Sequence, residues 1–194
     1  NTAGYQSLVI LMPLYFATSV IGQLALTMRT VRAPVQLVSA SLGNVLTQRL
    51  AHNVANGVSN VPIIVSTVRW LALASLTFVI PLLFWAQDLY ALVFGEQWRA
   101  AGTYAVLLLP MVVANLCVSS TSKMFIYRKN HVGLIWQTCF AAGLIGAIVV
   151  GGMFESPLLA VGLYSAVGTS LYCIHLGLTL KFAGGSWKSV FLPS

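Results

Sequence analysis

VIGQLALTMRTVRAPVQLVSASLGNVLTQRLA, Val20 to Ala51, decides how this chain is read. It is apolar enough for a bilayer, yet it carries Arg29 and Arg32 in its first half and no acidic residue. An arginine at depth costs at least about 2.5–3.5 kcal/mol on insertion scales, so it is rarely left facing lipid. On a helix at about 100° per residue, Gly22, Ala25, Arg29, Arg32, Gln36, Ser39, Ala40, Gly43 and Thr47 gather on one side. Leu24, Met28, Val31, Val35, Val38, Leu42, Val45 and Leu46 take the other. The first face suits a cavity or close helix packing, and the second suits lipid or apolar partners. Pro34 cannot donate to the carbonyl of Thr30, so a kink is expected near the arginines. The competing reading has the arginines snorkelling to a headgroup or capping a buried carbonyl.

Composition agrees with a membrane setting. The 194 residues are 58% hydrophobic and only 7% charged, with a mean hydropathy of +0.88. Soluble domains carry about 25% charged residues, and no soluble core of this size buries so much apolar surface. The expected fold is all-α, a polytopic transmembrane helix bundle occupying residues 1–194 as one unit. The net charge of +7 is then a matter of loop sidedness, and nucleic acid is not expected as a partner. Cys117, Cys139 and Cys173 lie in apolar runs without CxxC spacing and read as buried free thiols. No metal, cofactor or catalytic residue is assigned.

Working outward, Tyr5–Phe16 is too short to span alone and reads as the end of a truncated first helix. The chain therefore reads as a fragment whose N-terminal part is missing. A polar stretch rich in Asn and Gly follows the arginine helix, then a short interfacial helix over Ile63–Arg69 and a span over Trp70–Ala86. Gly95 reads as a helix stop before a new start near Gln97. Further spans are expected over Ala100–Phe125, Val132–Met153 and Leu158–Leu180, giving about five full spans plus the truncated one. Gly143, Gly146, Gly151 and Gly152 suit close helix packing. Trp98 and Tyr104 read as interface anchors. Asn115, Ser119 and Ser122 are candidates to line a cavity with Gln36, although polar residues on such helices also bind neighbouring helices.

Arg49, Arg69, Lys123, Arg128, Lys129, Lys181 and Lys188 fall on one side of this topology, and Arg99 alone on the other, beside Asp88, Glu96 and Glu155. The positive-inside rule places the seven basic residues and the C-terminus in the cytoplasm.

Two stretches carry a family resemblance. The arginine segment resembles the G-x-Y-A-x-x-x-R-x-x-x-x-P region of the bacterial polysaccharide (O-antigen) flippases through Gly22, Ala25, Arg29 and Pro34, with Leu24 in place of Tyr. Pro81 to Pro110 resembles the same family's FG-x-x-W-x-x-A-G-x-Y-A-x-x-L-x-P signature through Phe94, Gly95, Trp98, Ala101, Gly102, Tyr104, Ala105, Leu108 and Pro110. The resemblance implies the C-terminal half of a two-bundle transporter in the bacterial inner membrane. Its implied cargo is an undecaprenyl-diphosphate-linked oligosaccharide, moved to the periplasmic leaflet by alternating access. The implied partners are that lipid-linked oligosaccharide, membrane lipids and the missing N-terminal bundle of the same protein. Arg29, Arg32 and Gln36 are the expected substrate contacts, since a guanidinium offers phosphate two parallel charged hydrogen bonds.

Two other classes compete. A cation-coupled multidrug extruder of the same superfamily expects an intramembrane carboxylate, and no predicted span holds one. A membrane-embedded glycan-modifying enzyme expects a His or carboxylate near a membrane face. His52 and His131 read as loop residues and His175 as a span residue, none with an acid nearby in sequence. The protein is accordingly read as a non-enzyme.

Overall fold

The computed structural model describes residues 10–122 and 130–185, and the described residues form helices, turns and short connections without strands. After a 3-10 turn at Met12–Leu14 come five helices: α1 (Thr18–Ala55), α2 (Val61–Phe94), α3 (Arg99–Thr121), α4 (Asn130–Met153) and α5 (Pro157–Phe182). Four of them, α2 to α5, are long and apolar enough to cross a membrane, which makes this a multi-pass membrane protein. The fifth expected span, α1, has 38 residues, but Arg29, Arg32, Arg49 and its run of amides and hydroxyls leave it short of that apolarity. The expected truncated first helix falls partly outside the described residues, as do Lys123, Arg128, Lys129 and Lys188.

The bundle is organised around α3, which packs against α1, α2 and α5, while α4 leans on α5. Of its apolar window 61% is buried, against 28–33% in the other three apolar helices. Ala101, Ala105, Leu108, Met111 and Leu116 form the middle of the core. Lipid tails are as apolar as leucine, so close contact and hydrogen bonds must hold such helices together. Small residues supply the contact: Gly102 lies against the backbone of Ala86 and Gln87, Gly168 against Met111, and Gly151 against Ala160. Of the four glycines expected to pack closely, Gly143, Gly151 and Gly152 do so. At Gly146, among the described residues, nothing lies within 4 Å of where a Cβ would sit.

The expected break at Ile63–Arg69 is absent. Asn60 precedes a single helix that takes in Pro62 at its first turn, where a missing N–H costs nothing, and runs to Phe94. Arg69 therefore lies on α2 rather than in a loop. α2 stops at Gly95, whose φ of 101° suits a residue without Cβ. A 3-10 turn over Glu96–Trp98 then leads into α3. Tyr104 is buried in the core rather than at an interface, because α3 is enclosed by its neighbours. Cys117 is buried, but Cys139 and Cys173 are exposed on the outside of the bundle, contrary to the expectation for all three.

Three polar clasps fix α1 on α3 and its leading turn. Gln23 Nε2 donates to the Gln97 carbonyl at 3.3 Å. The Thr27 hydroxyl lies 2.9 Å from the carbonyls of Ala101 and Gln23. Ser39 and Ser119 join through their hydroxyls at 2.7 Å. Thr27 is fully buried, so Thr27→Val should remove one interhelical bond at nearly constant volume. Bonds of this kind within membranes average about 0.6 kcal/mol and reach about 1.7. Reversible unfolding of the full-length protein in mild detergent should show a loss in that range, and a neutral result would remove Thr27 from the clasps.

Candidate cationic site on α1

The clasps settle which way α1 faces. Leu24, Thr27, Met28, Val31 and Val35 are buried, and at 100° per residue this leaves Arg29 and Gln36 pointing away from the core. Both are exposed, and Arg32 at the edge of the same face is half-buried. The helix runs on through Pro34. Together with Ala25 and Met28, the three expected contacts line one concavity of about 320 Å³. Arg29 lies eleven residues into α1, or about 17 Å along the axis, well away from the helix end.

The charges nearby sharpen this picture. No acidic residue occurs on α1. Two of the chain's three carboxylates, Asp88 and Glu96, are held by Arg99, whose Nη1 and Nε lie 2.5 Å from Asp88 Oδ1 and Glu96 Oε1. That cluster ties the end of α2 to the start of α3. Among the described residues no hydrogen bond or ion pair engages Arg29. Arg29 lines the concavity, and a guanidinium's five N–H donors suit carboxylate or phosphate oxygens. Comparison with protein-family profiles, with curated proteins and with solved structures finds no match for this chain.

The two stretches singled out in the sequence touch each other in space. Gly22 faces the Trp98 ring, with an added Cβ meeting it at 3.9 Å, and Thr27 reaches the Ala101 carbonyl. The arginine helix and the Gly95–Gly102 turn are thus one structural unit that holds Arg29 in place.

Of the other cavity candidates, Ser119 is engaged by Ser39, and Ser122 lies elsewhere. Its hydroxyl is 2.7 Å from both His175 Nε2 and Thr179 Oγ1. The Trp136 ring stands edge-on to the imidazole, with centroids 4.1 Å apart. Sequence reading missed this knot, since Ser122 and His175 are 53 positions apart. It joins the end of α3 to α5, and among the described residues no partner orients His175 Nδ1. His52 sits in the last turn of α1 rather than in a loop.

Proposed function

We propose that this chain is half of a lipid-linked oligosaccharide flippase, with the Arg29 concavity receiving the diphosphate of an undecaprenyl-diphosphate-linked glycan in the bacterial inner membrane. The observation that carries the reading is that Arg29, Arg32 and Gln36 share one concavity on the side of α1 turned away from the core. A diphosphate bearing a bulky glycan does not cross about 30 Å of hydrocarbon unaided. A guanidinium fork supplies both charge and directed donors to its oxygens. Closing the concavity from the far side requires a second bundle, and rocking of the two bundles about the bound head gives alternating access. The resemblance of Gly22–Pro34 and Phe94–Pro110 to the polysaccharide flippases supports the same reading. α1 is then a fifth span, its polar face sheltered from lipid by the second bundle.

The test is glycan export by the full-length protein carrying Arg29→Ala, in a strain whose own flippase is deleted. Loss of surface glycan with normal protein in the membrane supports the reading, and wild-type export removes it.

The orientation has its own test. With Arg49, Lys123, Arg128, Lys129, Lys181 and Lys188 opposed to Arg99 alone, Gln97 and Glu155 should face the periplasm and Asn56 the cytoplasm. Single cysteines at these positions, in a cysteine-free full-length background, should react with an impermeant maleimide added outside only at 97 and 155. Labelling at 56 and not at 97 would mean the inverted topology.

A further inference from the structure

A second concavity, of about 300 Å³, lies on the other flank of the same turn of α1. Its walls are Thr30, Val31 and Pro34 from α1, and a stripe of α2 from Phe78 through Leu82 and Tyr90 to Phe94. That stripe spans about 24 Å of helix axis at 1.5 Å per residue. The lining is hydrocarbon and aromatic, and the Thr30 and Tyr90 hydroxyls are bonded to each other, so little polarity is left for a polar guest. Leu89, Val93 and Phe94 are exposed, so the groove opens to the outside of the bundle.

Around α1, taking Arg29 as the origin, Ala33 stands at about 40°, Thr30 at about 100° and Pro34 at about 140°. Within one helical turn the exposed methyl of Ala33 and the half-buried Leu26, at about 60°, are what separate the guanidinium from the apolar groove. A cationic cup and an apolar groove of ligand size, joined over a low ridge, match a molecule with an anionic head and a long hydrocarbon tail. We propose that the groove between α1 and α2 holds the first isoprene units of the polyprenyl chain while the diphosphate sits at Arg29. This rests on the reading of Arg29 above and adds to it: the tail is gripped by the protein next to the head, rather than left wholly in bulk lipid.

The test uses the full-length protein in phosphatidylethanolamine–phosphatidylglycerol vesicles with radiolabelled undecaprenyl diphosphate. A photo-crosslinking amino acid replaces Leu82 in the groove or, as a bulk-lipid control, the exposed Ile135 on α4. Retention of the labelled lipid by the purified protein reports the head independently. The expected result is retention that falls at least about tenfold in Arg29→Ala, with crosslinking at 82 at least about fivefold above 135. Arg29→Ala should bring the signal at 82 down to the control. Ala33→Trp, at an exposed position that leaves folding intact, should lower it at least about threefold by raising the ridge. Arginine-dependent retention with equal crosslinking at 82 and 135 would mean that bulk lipid alone fills the groove; it would overturn this proposal and spare the head site. A signal at 82 indifferent to both Arg29→Ala and Ala33→Trp overturns it as well. Retention indifferent to Arg29 overturns the head site and the proposal together.

Discussion

Arg29→Ala in the complete protein should abolish export of surface glycan while leaving the amount of protein in the membrane unchanged. The side chain is exposed and lies outside the α1–α3 packing face, and among the described residues nothing is bonded to it. Its removal therefore breaks no contact that holds the bundle. What is lost is a charged donor pair for an anion. A charged hydrogen bond of this kind contributes about 1.5–3 kcal/mol, so the loss of even one should lower affinity for the diphosphate by roughly tenfold to a hundredfold. Arg29→Lys should restore only part of the activity, because an ammonium keeps the charge and loses the planar fork. Arg32 stands about 60° away around the helix and is half-buried, so Arg32→Ala should cost less. The double variant should be little worse than Arg29→Ala alone if one site is involved. Were Arg29→Ala instead to deplete the protein from the membrane, its role would be structural, as a snorkelling or capping arginine. Export assays paired with immunoblots of the membrane fraction separate these outcomes.

How far the sequence led is clearest on α1 itself. Helical periodicity placed Leu24, Met28, Val31 and Val35 opposite Arg29, and they are the residues that pack. The same periodicity put Val38, Leu42 and Val45 on that face, yet all three are exposed. Along that part of α1 the buried residues are Gly43, Leu46 and Leu50 instead, about 60–120° further round the helix than Val31, so the packed face has turned away from the line that periodicity drew. Periodicity reports which way a side chain faces, and says nothing about whether a neighbour reaches it. The aromatic-belt rule failed for Tyr104 for a related reason, since it assumes a helix in contact with lipid and α3 is ringed by protein. Thr27 carried a signal that went unused: a hydroxyl beside Met28, on the packing side, in a medium where a polar atom needs a partner. The Ser122–His175–Thr179 knot carried none, because nothing local in the sequence brings those helices together. That Arg29, Arg32 and Gln36 share one face was legible because all three lie on one helix at helical spacing. The groove beside it was not, since most of its wall comes from α2.

Gly102→Val should disrupt the protein more severely than any other single substitution considered above. A Cβ at Gly102 would stand 2.6 Å from the carbonyl carbon and oxygen of Ala86 and from Gln87 Cα. Those are backbone atoms, so no rotamer change relieves the clash, and α2 and α3 must separate. Separation would strain the bond from Gln87 Nε2 to the Thr103 hydroxyl, now 3.0 Å. It would also disturb the neighbouring Ala101 carbonyl, which accepts from Thr27 and so helps to hold α1. Overpacking a tight interior costs typically about 1–3 kcal/mol and sometimes more, and a rigid backbone obstacle belongs at the upper end. The expected result is a strongly reduced steady-state level in the membrane and unfolding at a lower denaturant concentration. Gly146→Val is the control. It makes the same change on α4, where among the described residues nothing lies within 4 Å, and should shift stability by no more than about 0.5 kcal/mol. Equal behaviour of the two variants would mean that α2 and α3 do not cross this closely, and the frame that aims Arg29 would have to be redrawn from the α1–α3 clasps alone.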